Sequence, residues 1–600
     1  MQLPQGMAYA LLSGLPAVVG LYMGFFPVVF YCILGTSRHL SMGAIVVVSL
    51  MFGALIDQRF PDSNNILNGT LHSNDLDNNE DFDSEDKLFH EKIKFAMALT
   101  VISGITQITM GILQLGIIVR FMSNSIVSAF STGVAIHVIS SQLKYILGIT
   151  ISRHSGLLSV PYTLIESASH IKESNYPEFI LSLICILIIY LVKSQLNERY
   201  KSRLRFPIPI DLIIVVIATP ISYFLQLGDK YNFRVVGKVP AGLPKPFVPD
   251  ITYAKDYIGE GIVIGLVAFA QSVSVAILMA RKQGYRIDAN RELIAYGTAS
   301  VFSPFFNCYT AAGAVSRTSV QVGSGGKTQV ASLAGALFVL LIILVAGPLF
   351  ESLPNCVLSS VILVSLRSML KEVLKLRRLW KICKYDCVIW IFTFISVILT
   401  TLELGLIIGI VIGIITILIR TQKVEAVSLG VMDNSEIFLD KNKYKGVSIT
   451  PGISVIAFAS PLYYANVDVF RKEVQKKFDI AKAKTDPKVN SNGTSSLNEI
   501  SETFEAGPSN DVPKEMVHQI IIECSGISFV DEMGADAMLQ LYEDYKKTGI
   551  MCHFSHLNDK VIAVLKQSVA FETLRHVMYL TTYDALTAVS SQYERITTHL

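Results

Sequence analysis

From its first residues to about residue 420, the chain returns repeatedly to stretches apolar enough to cross a lipid bilayer. A spanning helix needs about 20 mainly apolar residues, because a backbone in hydrocarbon has no water to satisfy its N–H and C=O groups. Fourteen candidates recur, at 2–12, 17–35, 43–56, 92–115, 124–147, 178–194, 207–226, 257–280, 292–306, 311–322, 328–347, 354–370, 385–402 and 405–420. Two of them, 43–56 and 311–322, are too short to span and follow small residues. The composition agrees: 16% of residues are charged, against about 25% in soluble proteins, and the mean hydropathy is +0.48. The opening "MQLPQGMAYALL" has neither a basic flank nor a cleavage site, so it is not a signal peptide. It reads as the later half of a spanning helix whose earlier half is missing.

Basic residues set the orientation, since Lys and Arg collect in cytoplasmic loops. Three loops on one side are basic: Lys193, Arg199, Lys201, Arg203 and Arg205; Arg281, Lys282, Arg286 and Arg291; and Lys371, Lys375, Arg377, Arg378, Lys381 and Lys384. The loop from about Asp57 to Glu91 falls on the opposite side, is acidic, and carries the glycosylation acceptor Asn68-Gly69-Thr70. A net charge of +3 gives no reason to expect nucleic acid. The eight cysteines are scattered, and neither a disulfide framework nor a metal or cofactor site follows from their spacing. Nothing in the pattern suggests an enzyme.

After Arg420 strand-like and helix-like segments alternate, as in an α/β domain: "ISVIAFASPLYYAN", "VDVFRKEVQKKF", "HQIIIECSGISFV", "GADAMLQLYEDYKKTG" and "MCHFSHLN". The expected division is a transmembrane unit at 1–422, a linker at 423–446 and a cytosolic domain at 447–600, with a polar, disordered insertion at about 482–514.

The two short spans begin alike, "SMGA" at 41–44 and "AAGA" at 311–314, and "QGMAYALL" at Gln5 is echoed by "QSVSVAIL" at Gln271. These matches fall at corresponding places in two halves, as an inverted repeat predicts. A helix that starts inside the membrane leaves its first N–H groups unpaired and carries a partial positive charge of about +0.5 there. Two such starts facing one point make an anion site. Arg317 stands one turn into the second short helix, where an intramembrane arginine costs about 2.5–3.5 kcal/mol on insertion scales. Read from the residues alone, it either faces an anion, snorkels to an interface, or ties two helices together. His137 reads as a satisfied core residue. Glu260 is open between binding a cation and pairing with a lysine.

The stretch "QLPQGMAYALLSGLPAVVGLYMGFFPVVFYCILGTSRHLSMGA" resembles the signature of the sulfate permease (SulP) family of anion transporters, and "GYRIDANRELIAYG", "AVSRTSVQVGSGGKTQVA", "GPLFESLPNCVLSSVI" and "YDCVIWIFTF" extend the likeness. The tail resembles the STAS domain shared with bacterial anti-sigma-factor antagonists. The resemblance implies an α-helical polytopic membrane protein, a seven-plus-seven inverted repeat of core and gate domains with its first helix incomplete. A cytosolic α/β STAS domain follows it, and the assembly is a plasma-membrane homodimer. It also implies an anion site between the third and tenth helices, formed by Gln5, Tyr9, Ala44, Ile45, Gly313, Ala314, Ser316 and Arg317. Ala44 and Ile45 stand where Pro and Phe are common, which changes the pocket's shape. Arg317 matches members that handle chloride, bicarbonate and oxalate, and dedicated sulfate carriers tend to have Lys there. The implied activity is secondary anion exchange by alternating access. The alternatives are an uncoupled chloride channel, a voltage-driven motor of the prestin kind, and a non-transporting scaffold. In the bacterial antagonists a phosphorylatable Ser follows the Asp of the turn. Here Glu532 follows Asp531, so no phosphoswitch is expected. The ending Thr598-His599-Leu600 fits a PDZ ligand.

Overall fold

The computed structural model describes residues 2–60, 80–116, 123–151, 156–199, 208–237, 239–240, 242–345, 347–422, 425–432, 435–485 and 518–597. Asn68, Thr598-His599-Leu600 and most of the expected insertion lie outside them. The chain separates into two compact units, Met1–Ile414 and Ile415–Leu600.

Each of the fourteen expected spans falls on a helix. The first half holds α1 (Gln2–Leu12), α2 (Ala17–Tyr22), α3 (Phe26–Leu34), β1 (Met42–Gly43), α4 (Val46–Arg59), α5 (Glu80–Ile112), α6 (Asn124–Leu147), α7 (Ser159–Ser169), α8 (Tyr176–Leu191) and α9 (Ile210–Leu225). The second holds α10 (Ile258–Gln283), α11 (Ala289–Phe302), β2 (Ala312–Gly313), α12 (Val315–Gly323), α13 (Gln329–Val345), α14 (Asn355–Ser365), α15 (Lys384–Leu399) and α16 (Leu402–Gln422). Among the described residues, six stretches of helix are long and apolar enough to cross a membrane by themselves, so the chain is a multi-pass membrane protein. The second span is broken into α2 and α3, and Pro27 sits at the start of α3, where a missing N–H costs nothing. The amphipathic α7 was not expected from the apolar runs.

Without a hydrophobic drive between helices in lipid, close approach of small residues holds them together. At the α1–α2 contact a side chain on Gly6 would come within 2.5 Å of the Gly20 carbonyl oxygen, so only glycine fits. His137 is a satisfied core residue, with Nε2 at 2.7 Å from the Val397 carbonyl oxygen. Lys193, in the π-helical turns Val192–Glu198 that continue α8, pairs with the buried Asp211 of α9 at 2.8 Å.

The second unit contains a seven-stranded sheet. Its strands are β3 (Val427–Met432), β4 (Phe438–Asp440), β5 (Val447–Ser448), β6 (Ile453–Ala457), β7 (Gln519–Glu523), β8 (Met551–Ser555) and β9 (Met578–Tyr579). The order is β4-β3-β6-β7-β8-β9, with β5 also on β3. The pairs from β6 to β9 are parallel, and β3 runs antiparallel to β6. The segment expected as a linker, 423–446, therefore contributes β3 and β4 to the sheet. The run "VSLGVM" is short and interrupted by glycine, and as a strand it is held from both sides, by β6 at Val427 to Leu429 and by β4 and β5 at Leu429 to Met432. The helices are α17 (Val467–Thr485), α18 (Glu532–Lys547), α19 (Asp559–Gln567), α20 (Ala570–Leu574) and α21 (Thr582–Thr597). Ile520, Ile521 and Ile522 are all fully buried because β7 is covered on both faces, as consecutive apolar residues in a parallel strand require. Ile520 and Ile522 pack with Phe470, Met538 and Val561, and Ile521 packs with Leu586 and Val589. Helix α17 runs to Thr485, past the expected start of the insertion at 482.

The carboxylate that caps α18 is Asp531. Its Oδ1 accepts from the Gly534 N–H at 2.8 Å and its Oδ2 from the Tyr464 N–H at 2.8 Å. Glu532 follows it in the first turn, exposed.

Candidate functional site

The two short helices do start opposite one another. Just before each, two residues run extended and pair antiparallel, Met42 with Gly313 and Gly43 with Ala312. The chain then turns into α4 at Ile45 and into α12 at Ala314, and neither start has a side-chain cap. Two helix N-termini therefore meet at one short ladder, each with its uncompensated partial charge.

Gly43 makes the crossing possible in two ways. Its φ of +152° lies in a region that favours glycine, and a side chain there would sit 3.1 Å from Arg317 Nη1. Into that space the guanidinium reaches across the ladder. Nη1 donates to the Ala44 carbonyl oxygen at 2.7 Å and Nη2 to the Ala312 carbonyl oxygen at 3.3 Å. Nε is buried with no hydrogen-bond partner. Arg317 is 4% exposed, so it does not snorkel. It does tie the two segments together, but through neutral carbonyls, and among the described residues no carboxylate pairs with it.

Of the expected site residues, Gln5 and Tyr9 are buried on α1, four residues apart and so on one face. Tyr9 lies within electrostatic reach of Arg317. Ala44, Ile45 and Gly313 are buried, and Ala44 acts through its backbone oxygen. Ala314 is half-buried, and Ser316 is exposed.

Several residues that hold the crossing went unassigned in the sequence reading. Thr318 Oγ1 accepts from the Ser41 N–H at 3.1 Å, and Ser272 Oγ accepts from the Gly313 N–H at 2.9 Å. Gln2 Nε2 donates to the Met42 carbonyl oxygen at 3.1 Å, and Gln329 Nε2 donates to those of Ser37 and Leu40 at 2.7 and 2.9 Å. Upstream, the fully buried Glu292 carboxylate accepts from Tyr31 Oη at 2.9 Å, from the Thr36 and Ser37 N–H groups at 2.8 Å each, and from Thr36 Oγ1. Glu292 and Gln329 lie in "NRELIAYG" and "GGKTQVA". Their partners stand about 250 to 290 residues away, so no local pattern reveals them.

A profile of the sulfate permease family matches residues 1–393, and a profile of the STAS domain matches 444–585. The chain belongs to the sulfate permease family. Pendrin of Mus musculus is 34% identical over 642 aligned residues, which cover 98% of this chain and 81% of pendrin. Prestin of Tursiops truncatus is 32% identical, with 98% and 83% covered, and the sulfate transporter of Equus caballus is 32% identical, with 97% and 81% covered. A solved structure of SLC26A9 superposes with a TM-score of 0.83 at 30% identity, covering 99% of this chain and 88% of that one. The transmembrane domain of the cyanobacterial bicarbonate transporter BicA gives 0.53 at 21% identity over 69% of this chain, a likeness of fold alone. The family is one of anion transporters rather than enzymes, and in this member the fold brings two helix starts and one arginine together.

Proposed function

We propose that this chain is a secondary anion exchanger whose substrate binds at the crossing of α4 and α12. The observation that carries this reading is the Arg317 guanidinium, buried at two helix N-termini and balanced by no carboxylate among the described residues. A fixed positive charge in a poorly hydrated place is stabilised by an anion that comes and goes. Gln5, Tyr9, Ala44, Ile45, Gly313, Ala314 and Ser316 form the surroundings of that anion. Movement of the core domain against the gate domain exposes it to either side in turn. Arg rather than Lys at 317 favours chloride, bicarbonate or oxalate over a sulfate-only carrier. The protein works as a plasma-membrane homodimer, glycosylated at Asn68, and its end at Thr598-His599-Leu600 engages a PDZ protein.

The test is uptake of a radiolabelled anion into cells or proteoliposomes with and without an exchangeable anion on the far side. Exchange requires the trans anion. Flux that ignores it makes the protein an uncoupled channel. Charge movement without flux makes it a motor. Either of the last two results would sink the exchanger reading.

A further inference from the structure

Tyr309 is fully buried three residues before β2, and its hydroxyl reaches Ser49 Oγ at 2.7 Å in the first turns of α4. Ser49 Oγ also donates to the Ile45 carbonyl oxygen at 2.9 Å, the same oxygen that accepts the Ser49 N–H at 3.0 Å. With the Ser49 proton committed there, Tyr309 is the donor of the 2.7 Å bond. The ring cannot drift, because it packs against Phe52 at a centroid distance of 5.2 Å. Tyr309 also lies within electrostatic reach of both Arg317 and Tyr9.

This bond differs in kind from the others at the crossing. Arg317 joins the two extended segments through backbone oxygens, whereas the Tyr309–Ser49 pair joins the approach to β2 to the body of α4. The pair fixes how far the start of α4 stands from the start of α12. Two partial charges that converge on one anion depend on that spacing, since electrostatic energy falls with distance. We propose that Tyr309 and Ser49 are positioning residues of the anion site, holding the first turns of α4 in register with β2 so that both helix starts address the same anion. This rests on the placement of the anion at the crossing argued above.

The experiment measures half-saturation and maximal rate of radiolabelled chloride uptake by the full chain, normalised to surface abundance. The variants are Tyr309→Phe, Ser49→Ala, their double mutant, Ser49→Thr and Arg317→Gln. Tyr309→Phe keeps the ring and removes one hydroxyl. Losing one hydrogen bond of ordinary strength is expected to raise half-saturation about three- to tenfold, with maximal rate per surface transporter little changed. Ser49→Ala should match it, the double mutant should add nothing, and Ser49→Thr, which keeps the hydroxyl, should restore the wild-type value. Unchanged half-saturation in Tyr309→Phe while Arg317→Gln raises it would overturn the positioning role but leave the site in place. No change in either would overturn the site and the inference with it. Additive effects in the double mutant, or lost surface abundance that Ser49→Thr does not restore, would make the two residues ordinary packing and also overturn the proposal.

Discussion

Arg317→Gln separates two things the guanidinium does. It satisfies the carbonyls of Ala44 and Ala312, at 2.7 and 3.3 Å, and it supplies a positive charge. Losing the hydrogen bonds costs about 1–3 kcal/mol for each carbonyl left bare, whatever the anion. Losing the charge costs in proportion to the charge of the ligand. At a separation of about 6 Å and an effective dielectric of about 20, that is roughly 3 kcal/mol per unit of ligand charge. A divalent anion should therefore lose about 3 kcal/mol more than chloride, a hundredfold or so in relative affinity. Arg317→Lys is the control, because it keeps the charge and gives up the planar fork. It should lower uptake of both anions while preserving their ratio. The assay is competition of chloride and oxalate against one labelled substrate, with surface abundance measured in parallel. An equal loss for both anions in Arg317→Gln, or the same shift of ratio in Arg317→Lys, would refute the electrostatic role and leave Arg317 as a tie between two segments.

Three further outcomes are expected. Gly43→Ala forces a side chain onto a backbone with φ of +152°, 3.1 Å from Arg317 Nη1, and should cost about 1–3 kcal/mol, seen as a lower melting temperature in detergent. Asp531→Ala removes the cap of α18 and the acceptor for the Tyr464 N–H; about 1–2 kcal/mol of STAS stability should go, read by protease protection, while Glu532→Ala should change little. Burial holds His553 neutral, with its pKa pushed down to about 4 and Nδ1 without a partner. Because the unfolded chain binds the proton at higher pH, the stability His553 contributes is complete above about pH 6.5 and drains away as pH falls toward 4, by about 3 kcal/mol in all. His553→Leu should flatten that part of the pH profile of STAS unfolding; a profile unchanged by the substitution would refute it.

Much of the transmembrane unit was legible because a membrane leaves few choices. Apolar length gave every span, and the echo of "SMGA" in "AAGA" located the two segments that turn out to pair. The pairing itself was not legible. Two residues carry no strand pattern, and the ladder exists only where two helix starts face each other. The acceptors of Arg317, the donors to Glu292 and the partner of Tyr309 were hidden for the same reason, since each bond except that to Ala312 joins the two halves of the chain. In the second unit the Ile-rich β7 announced itself, whereas β3 depends on pairing with β6 and read as a linker.

The ladder between β1 and β2 also sets a clock on biosynthesis. Gly43 has to wait for Ala312, about 270 residues later in the chain, and at roughly 5–20 residues per second that is about fifteen to fifty seconds of translation. Until then the first repeat sits in the translocon's surroundings with an extended segment and an uncapped helix start, and Arg317 has not yet been made. Quality-control factors that recognise exposed polar backbone in the bilayer have that whole interval in which to act. Slowing elongation between the two repeats should therefore raise the fraction degraded without altering any molecule that reaches completion.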